Sequence, residues 1–263
     1  MSVLRFLVSR QWVVRIVGGL VLATAFVLLG LWQLDRNEQR QARNAAIQAG
    51  LEQPAAPIED VLAPGEPVAT DQEWRTVQLS GRYDGSGQLA LRLRPQGGQA
   101  GIHVLTPLVT DFGTTVLVDR GFLASSGADV PELPAPPQGE VDVVGRVRSS
   151  EDGGERTGDP STGMIRYVDL DVLAAAMSRP LYGGWLELVD QDPPPEQTLA
   201  LVPQPELESG PHLSYAIQWF AFAVIGVGGF VLLVRAEARA RRQDAGPAGN
   251  GHRTGATPAA PRA

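Results

Sequence analysis

Two long apolar stretches stand near the ends of the chain, and the pattern between them is short, alternating and often interrupted. From Ile16 to Leu34 nineteen residues carry no charge, with Thr24 and Gln33 the main polar members. From Tyr215 to Val234 there are twenty, with Gln218 the one strongly polar side chain. A helix of about 20 apolar residues crosses a bilayer, so each stretch predicts a membrane span. A cleaved signal peptide is the other reading of the first, because Ala23-Thr24-Ala25 resembles a cleavage site. The apolar run continues nine residues beyond it to Leu34, which favours an anchor.

After Leu34 no Gly or Pro occurs until Gly50. The first helix is therefore expected to continue to about residue 49, with Gly50 as its C′ cap. A solvated helical linker fits the same residues. Pro54–Pro67 reads as irregular. Short strands are expected at Arg75–Leu79, Leu89–Leu93, Ile102–Val109, Thr114–Val118, Val141–Val147, Met164–Val168 and Trp185–Val189. Asp111-Phe112-Gly113 reads as a hairpin turn. One short helix, Asp169–Ser178, starts with acids and has Leu173, Ala174 and Met177 on one face. The segments Ala124–Glu140, Ser149–Gly163 and Asp190–Pro211 read as polar, breaker-rich loops. The fold class expected is a membrane protein whose two transmembrane helices flank a mainly antiparallel β domain, barrel-like and α+β. Its parts are residues 1–15, a span at 16–34, a β-rich domain at 50–211, a span at 212–234 and a tail at 235–263. Beyond Gln243 the Ala/Gly/Pro-rich tail reads as disordered.

Charge sets the orientation. Residues 1–35 hold three Arg and one Asp, residues 36–214 hold 13 Arg and 26 acids, and residues 215–263 hold six Arg and two acids. Arg235, Arg239, Arg241 and Arg242 follow the second stretch, while the fifteen residues before it contain no Arg. The positive-inside rule then makes that end cytoplasmic. Two spans put both termini there and the middle domain outside. An Ala/Arg/Pro-rich, lysine-free chain suggests a high-GC bacterium, and so a plasma membrane.

Composition excludes several chemistries. With no cysteine there is no disulfide, thiolate metal site or thiol nucleophile, and with no lysine there is no Schiff base or P-loop. A net charge of −7 argues against nucleic acid as a partner. None of the usual hydrolase, dinucleotide, P-loop or zinc-protease motifs occurs. No catalytic residue or protein-built metal site is expected. Asp169 and Asp171 read as helix-start acids, Glu151-Asp152 and Asp190–Asp192 as solubilising loop acids. His103 reads as a core or edge histidine, His252 falls in the tail, and His212 lies near the membrane.

Three blocks bring a family into view. Gly30-Leu31-Trp32-Gln33-Leu34-Asp35-Arg36 resembles a W-Q-L-x-R signature. Gly101–Leu108 with Val116-Leu117-Val118-Asp119-Arg120-Gly121-Phe122-Leu123 is similar to G-x-x-V-x-T-P-L and V-N-R-G-W-V-P blocks. Pro211–Phe220 resembles N-H-L-x-Y-A-x-x-W-F. Together they resemble the Surfeit locus protein family of cytochrome c oxidase assembly factors. Asp119 stands where the family has Asn, Phe122 where it has Trp, and Pro211 where it has Asn.

The resemblance implies a non-enzymatic helper that assists haem a insertion or stabilises the catalytic subunit of cytochrome c oxidase during its assembly. Haem a is then a transient cofactor. Haem a synthase, a respiratory supercomplex and membrane lipid are further partners. The rival reading is a permanent accessory subunit of the oxidase or supercomplex without a cofactor; an exterior enzyme is a third. The candidate haem surface is His212, Tyr215 and Trp219 on one helix with Trp32 and Arg36 on the other. His212 shares a face with Tyr215, Ala216 and Trp219, and is read either as a haem ligand or as a polar cap at the membrane surface. Arg36 offers a cation to a propionate or carboxylate, and the two tryptophans also suit an aromatic belt. Gln33 and Gln218 are expected to pair across the two helices, or each to snorkel to water, with Gly18, Gly19, Gly226 and Gly229 allowing close approach. Arg120-Gly121 is expected to end the Thr114–Val118 strand in a structural role, with ligand binding as the alternative.

Overall fold

The computed structural model describes residues 7–125, 132–208 and 210–244. His252 and all of the predicted disordered tail except Asp244 lie outside them, as does part of the Ala124–Glu140 loop. The chain forms two compact units, Met1–Gln39 with Ser209–Ala263, and Arg40–Glu208.

The first unit is built on two helices, α1 (Arg10–Glu52), whose last turns belong to the second unit, and α3 (His212–Asp244). Both are long and apolar enough to cross a membrane. They meet along an antiparallel seam. Trp12 lies edge-on to Phe230 at 6.4 Å between ring centroids, and Phe26 stacks on Trp219 at 5.7 Å. Gly30 seats Phe220, since a Cβ there would lie 2.6 Å from its ring. Between Trp12 and Gln33 the shielded positions on α1 are Trp12, Ile16, Gly19, Ala23, Phe26, Gly30 and Gln33, a repeat of three and four that keeps one face on a partner helix. On α3 the matching series is His212, Ala216, Trp219 and Ala223. The expected glycine contacts are corrected here. A Cβ at Gly18, Gly226 or Gly229 would meet nothing within 4 Å, and one at Gly19 only Phe230 at 3.6 Å. The large rings of Phe26, Phe220 and Phe230 hold the backbones apart, leaving Gly226 and Gly229 on an apolar cavity of about 370 Å3.

The second unit is a barrel. Its strands are β1 (Ala56–Pro57), β2 (Thr76–Tyr83), β3 (Leu89–Arg92), β4 (Gly101–Thr110), β5 (Thr115–Ala124), β6 (Val141–Ser149), β7 (Met164–Ile165) and β8 (Gly184–Asp192). Pairing runs β1-β2-β6-β8-β5-β4-β3-β7, and a further β2–β4 pairing closes β2, β6, β8, β5 and β4 into a ring. Inside it pack Val77, Leu79, Leu108, Val116, Val118, Val143, Val147 and Leu186. On the outer face Leu91, Leu105, Leu117, Ile165 and Trp185 are covered by Leu170 and Leu173 of α2 (Leu170–Met177). Asp169 caps that helix, its carboxylate accepting from the Val172 N–H, and Ser178 ends it in the left-handed conformation. The barrel-like fold with two flanking apolar helices is as the sequence predicts.

The details differ in instructive ways. The barrel is not antiparallel throughout: β5 and β8 run parallel, joined by a connection long enough to hold β6, β7 and α2. Gly50 is no cap. Helix α1 passes through it to Glu52, because a Cβ at Gly50 would lie 2.6 Å from the Glu73 carbonyl and 3.0 Å from Trp74. Asp190–Asp192 belong to β8, paired with Val144, Val143 and Asp142 of β6. Glu151 does more than solubilise: it accepts from the Val168 N–H at 2.9 Å and from Arg94 at 2.6 Å. His103 sits mid-sheet in β4, between β3 and β5.

Candidate functional site

The site residues of the helical unit gather where α3 begins. Pro211 immediately precedes the helix, its carbonyl accepting from Tyr215 N–H at 3.1 Å and from the Ser214 hydroxyl at 2.7 Å. His212 therefore opens the first turn on the seam side. Its Nδ1 donates to the Gln33 amide oxygen on α1 at 2.9 Å. The partner of Gln33 is thus His212, which corrects the expected Gln33–Gln218 pair. Gln218 lies two residues beyond the seam position Ala216 and is exposed, on a different side of the helix from the residues that meet α1.

A Gln33 oxygen on Nδ1 fixes both the tautomer and the plane of the imidazole. In that tautomer Nε2 carries the lone pair, and it makes no hydrogen bond among the described residues. Tyr215, one turn on, is exposed. Arg36 lies over the Trp32 ring at 5.8 Å and donates to Gln39 at 3.1 Å, and Gln39 donates to Asp35 at 2.8 Å. Arg36 is thus held by its own helix but stays exposed. Trp32 is half exposed, whereas Trp219 turns inward between Phe26 and Phe222. The expectation that both tryptophans share one surface is corrected: Trp219 sits on the repeat that faces α1, and Trp32 one residue off it.

Arg120 and Gly121 lie within the barrel unit. They do not end a strand, because β5 continues to Ala124. Arg120 is buried, donates to Gln88 and to the Pro134 carbonyl at 2.9 Å each and to the Ala135 carbonyl at 3.1 Å, and lies over Tyr83. It fastens the loop before β6 to the barrel. Desolvation pushes its pKa down and that of the Tyr83 phenol up. Gly121 has φ +127°, and a Cβ there would lie 2.7 Å from the Ala200 carbonyl.

Sequence reasoning missed one buried polar row. His103 Nδ1 meets Asp119 at 2.8 Å, and Asp119 also accepts from Gly121 N–H. Asp119 is paired in register with Glu187 on β8. Glu187 in turn contacts Arg146 at 3.3 Å and Arg148 at 2.8 Å. Arg148 is stacked on Trp74 at 3.8 Å. Alternation in β5, β6 and β8 places these residues on the outer face of the sheet, which a single-residue pattern does not mark as polar core. Among the described residues no group of His, Asp and Glu is arranged to hold a metal ion.

Two long apolar helices, with a closed β-barrel inserted between them in the sequence, define a two-span membrane protein. The chain belongs to the SURF1 family, whose model matches residues 20–224. It is 33% identical over 231 residues to a SURF1-like protein of Mycobacterium tuberculosis, covering 83% of this chain and 81% of that one. To human Surfeit locus protein 1 it is 27% identical, over 81% of this chain and 73% of the relative. To the yeast protein named cytochrome oxidase assembly protein SHY1 it is 27% identical, over 62% of this chain and 44% of that one.

Proposed function

We propose that this protein is an assembly factor for haem–copper cytochrome c oxidase, and that it assists haem a on its way into the catalytic subunit. The name of the yeast relative supports the oxidase. The observation that carries the haem reading is the oriented imidazole: Gln33 holds His212 Nδ1, and Nε2 is left to ligate. The residues present fit the group. His212 would hold the iron, Tyr215 would lie beside the ring, and Arg36 would meet a propionate. Bound there, haem a would offer its iron to one neutral imidazole nitrogen. What the chain's own residues do is orient and shield: Gln33 sets the tautomer, and the Phe26–Trp219–Phe222 cluster closes the seam below. The chain acts without catalysis of its own. The arginine asymmetry supports placing both termini in the cytoplasm and the barrel outside a bacterial plasma membrane. The catalytic subunit, haem a synthase or a supercomplex would then be met at that outer surface.

The test uses the full chain, made in cells that synthesise haem a. Purified wild type is expected to carry haem a absorbance, and His212→Ala to lose most of it while lowering the haem a content of the oxidase. Unchanged absorbance in the variant ends the ligand assignment. Copurification with fully metallated oxidase at fixed stoichiometry would instead make the protein a permanent subunit.

A further inference from the structure

The connection from β8 to α3 does not hang free. Phe122 N–H donates to the Ala200 carbonyl at 2.7 Å, and Ala200 N–H returns to the Phe122 carbonyl at 3.3 Å. Gln96 donates to the Leu201 carbonyl at 3.0 Å, and Arg146 Nη2 to the Val202 carbonyl at 2.7 Å. Leu199 is buried. Farther along, Asn44 donates to the Glu208 carbonyl at 3.3 Å. Residues Leu199–Val202 are therefore a strap laid along the end of β5, where β8 pairs only with Val118 and Asp119. The strap supplies the partner that the Phe122 backbone lacks, and Gly121 leaves room for its carbonyl.

We propose that Arg146 and Glu187 form a latch by which the barrel holds or releases this strap. Arg146 is the part that joins the two: its Nε lies 3.3 Å from Glu187 Oε2, and its Nη2 donates to the Val202 carbonyl at 2.7 Å. The strap itself, Leu199-Ala200-Leu201-Val202, has no charged group, so its hold on the row runs through this one side chain.

The latch is built to be weak. The side chains of Arg146 and Glu187 are 5% and 6% exposed, yet their 3.3 Å contact is not aligned as a hydrogen bond, and Arg146 Nε and Glu187 Oε2 are left without one. A buried pair with imperfect geometry recovers little of its desolvation cost. Arg148 competes for the same carboxylate, while Asp119 places a second acid beside it. Small changes around Glu187 therefore shift Arg146. Freeing Val202 bares the β5 edge at Phe122.

Hydrogen exchange on the full chain tests this at the Phe122 and Ala200 amides, against those of Val116–Val118 as the barrel reference. Replacing both charges in Arg146→Met/Glu187→Leu removes the latch without stranding either member of the pair, and Arg148 keeps Glu73 at 3.7 Å. The two strap-dependent amides should then exchange on the order of tenfold faster, with the reference amides unchanged. Arg146→Lys keeps the charge but replaces the two guanidinium nitrogens that meet Glu187 and Val202 with a single ammonium, and should give the same selective loss. The proposal is overturned if either variant folds with wild-type protection at Phe122 and Ala200. It is equally overturned if the reference amides lose protection in step with them, since the row would then support the barrel as a whole.

Discussion

Gln33 and His212 are separated by 179 positions and joined by one hydrogen bond. At the residue scale most of the unexpected chemistry is of this kind. The two positions where β5 departs from its family block, Asp119 and Phe122, both touch His103. The carboxylate is 2.8 Å from Nδ1, and the ring lies edge-on at 5.7 Å. The sequence displays the departures but not their meeting, because a bulge between His103 and Leu105 shifts the register that brings them together. Glu187, in the same row, carries a testable titration. Burial lifts its carboxyl above the ordinary value of 4.5 and Asp119 adds to the lift, while Arg148 and Arg146 pull it down. A carboxyl raised by folding contributes its full stability below the unfolded pKa and loses it as pH rises through the folded one. Relative to Glu187→Gln, the wild type should therefore gain Tm as pH is lowered from neutral towards 4.5. A Tm difference that stays flat over that range would remove the row's burial as a source of pH dependence.

At the scale of elements, existence and type were legible and faces were not. The two apolar runs, seven of the strands and α2 could be read from periodicity and caps. Strand ends could not, because Leu91 and Leu117 are covered by α2 and read as core from either face. The Gln33–Gln218 expectation used depth along the helices and ignored rotation about them. The three-and-four repeat on α1 would have turned Gln33 towards the residue four before Ala216, which is His212. That seam gives a clean prediction at Gly30. Gly30→Val drives a branched side chain into Phe220, an overpacking that costs about 1–3 kcal/mol. Because the chain lacks cysteine, a Phe26→Cys/Phe222→Cys pair reports helix association without background. Crosslinking of that pair should slow markedly in the Gly30→Val background and remain fast with Gly18→Val, where nothing lies within 4 Å. Equal rates in the two backgrounds would contradict the seam.

At the scale of the molecule, the β2–β4 pairing decides the behaviour of the barrel. Gly81, Arg82 and Tyr83 pair with Thr110, Val109 and Leu108, and a closure between such distant segments leaves no trace in local alternation. Closure couples β2, β6, β8, β5 and β4, so their amides should exchange through one shared opening, while the two-residue β1 and β7 exchange earlier. Separate opening free energies for β2 and β8 would show that the ring is not a cooperative unit. The sheet order ends on β1 and β7, each only two residues long, and the bare flank of β5 is filled by the strap. A stranger's extended segment thus finds almost no row of unpaired amides to adopt. In the proposed role among half-built, apolar subunits, that reticence would keep client and helper from fusing into one aggregate.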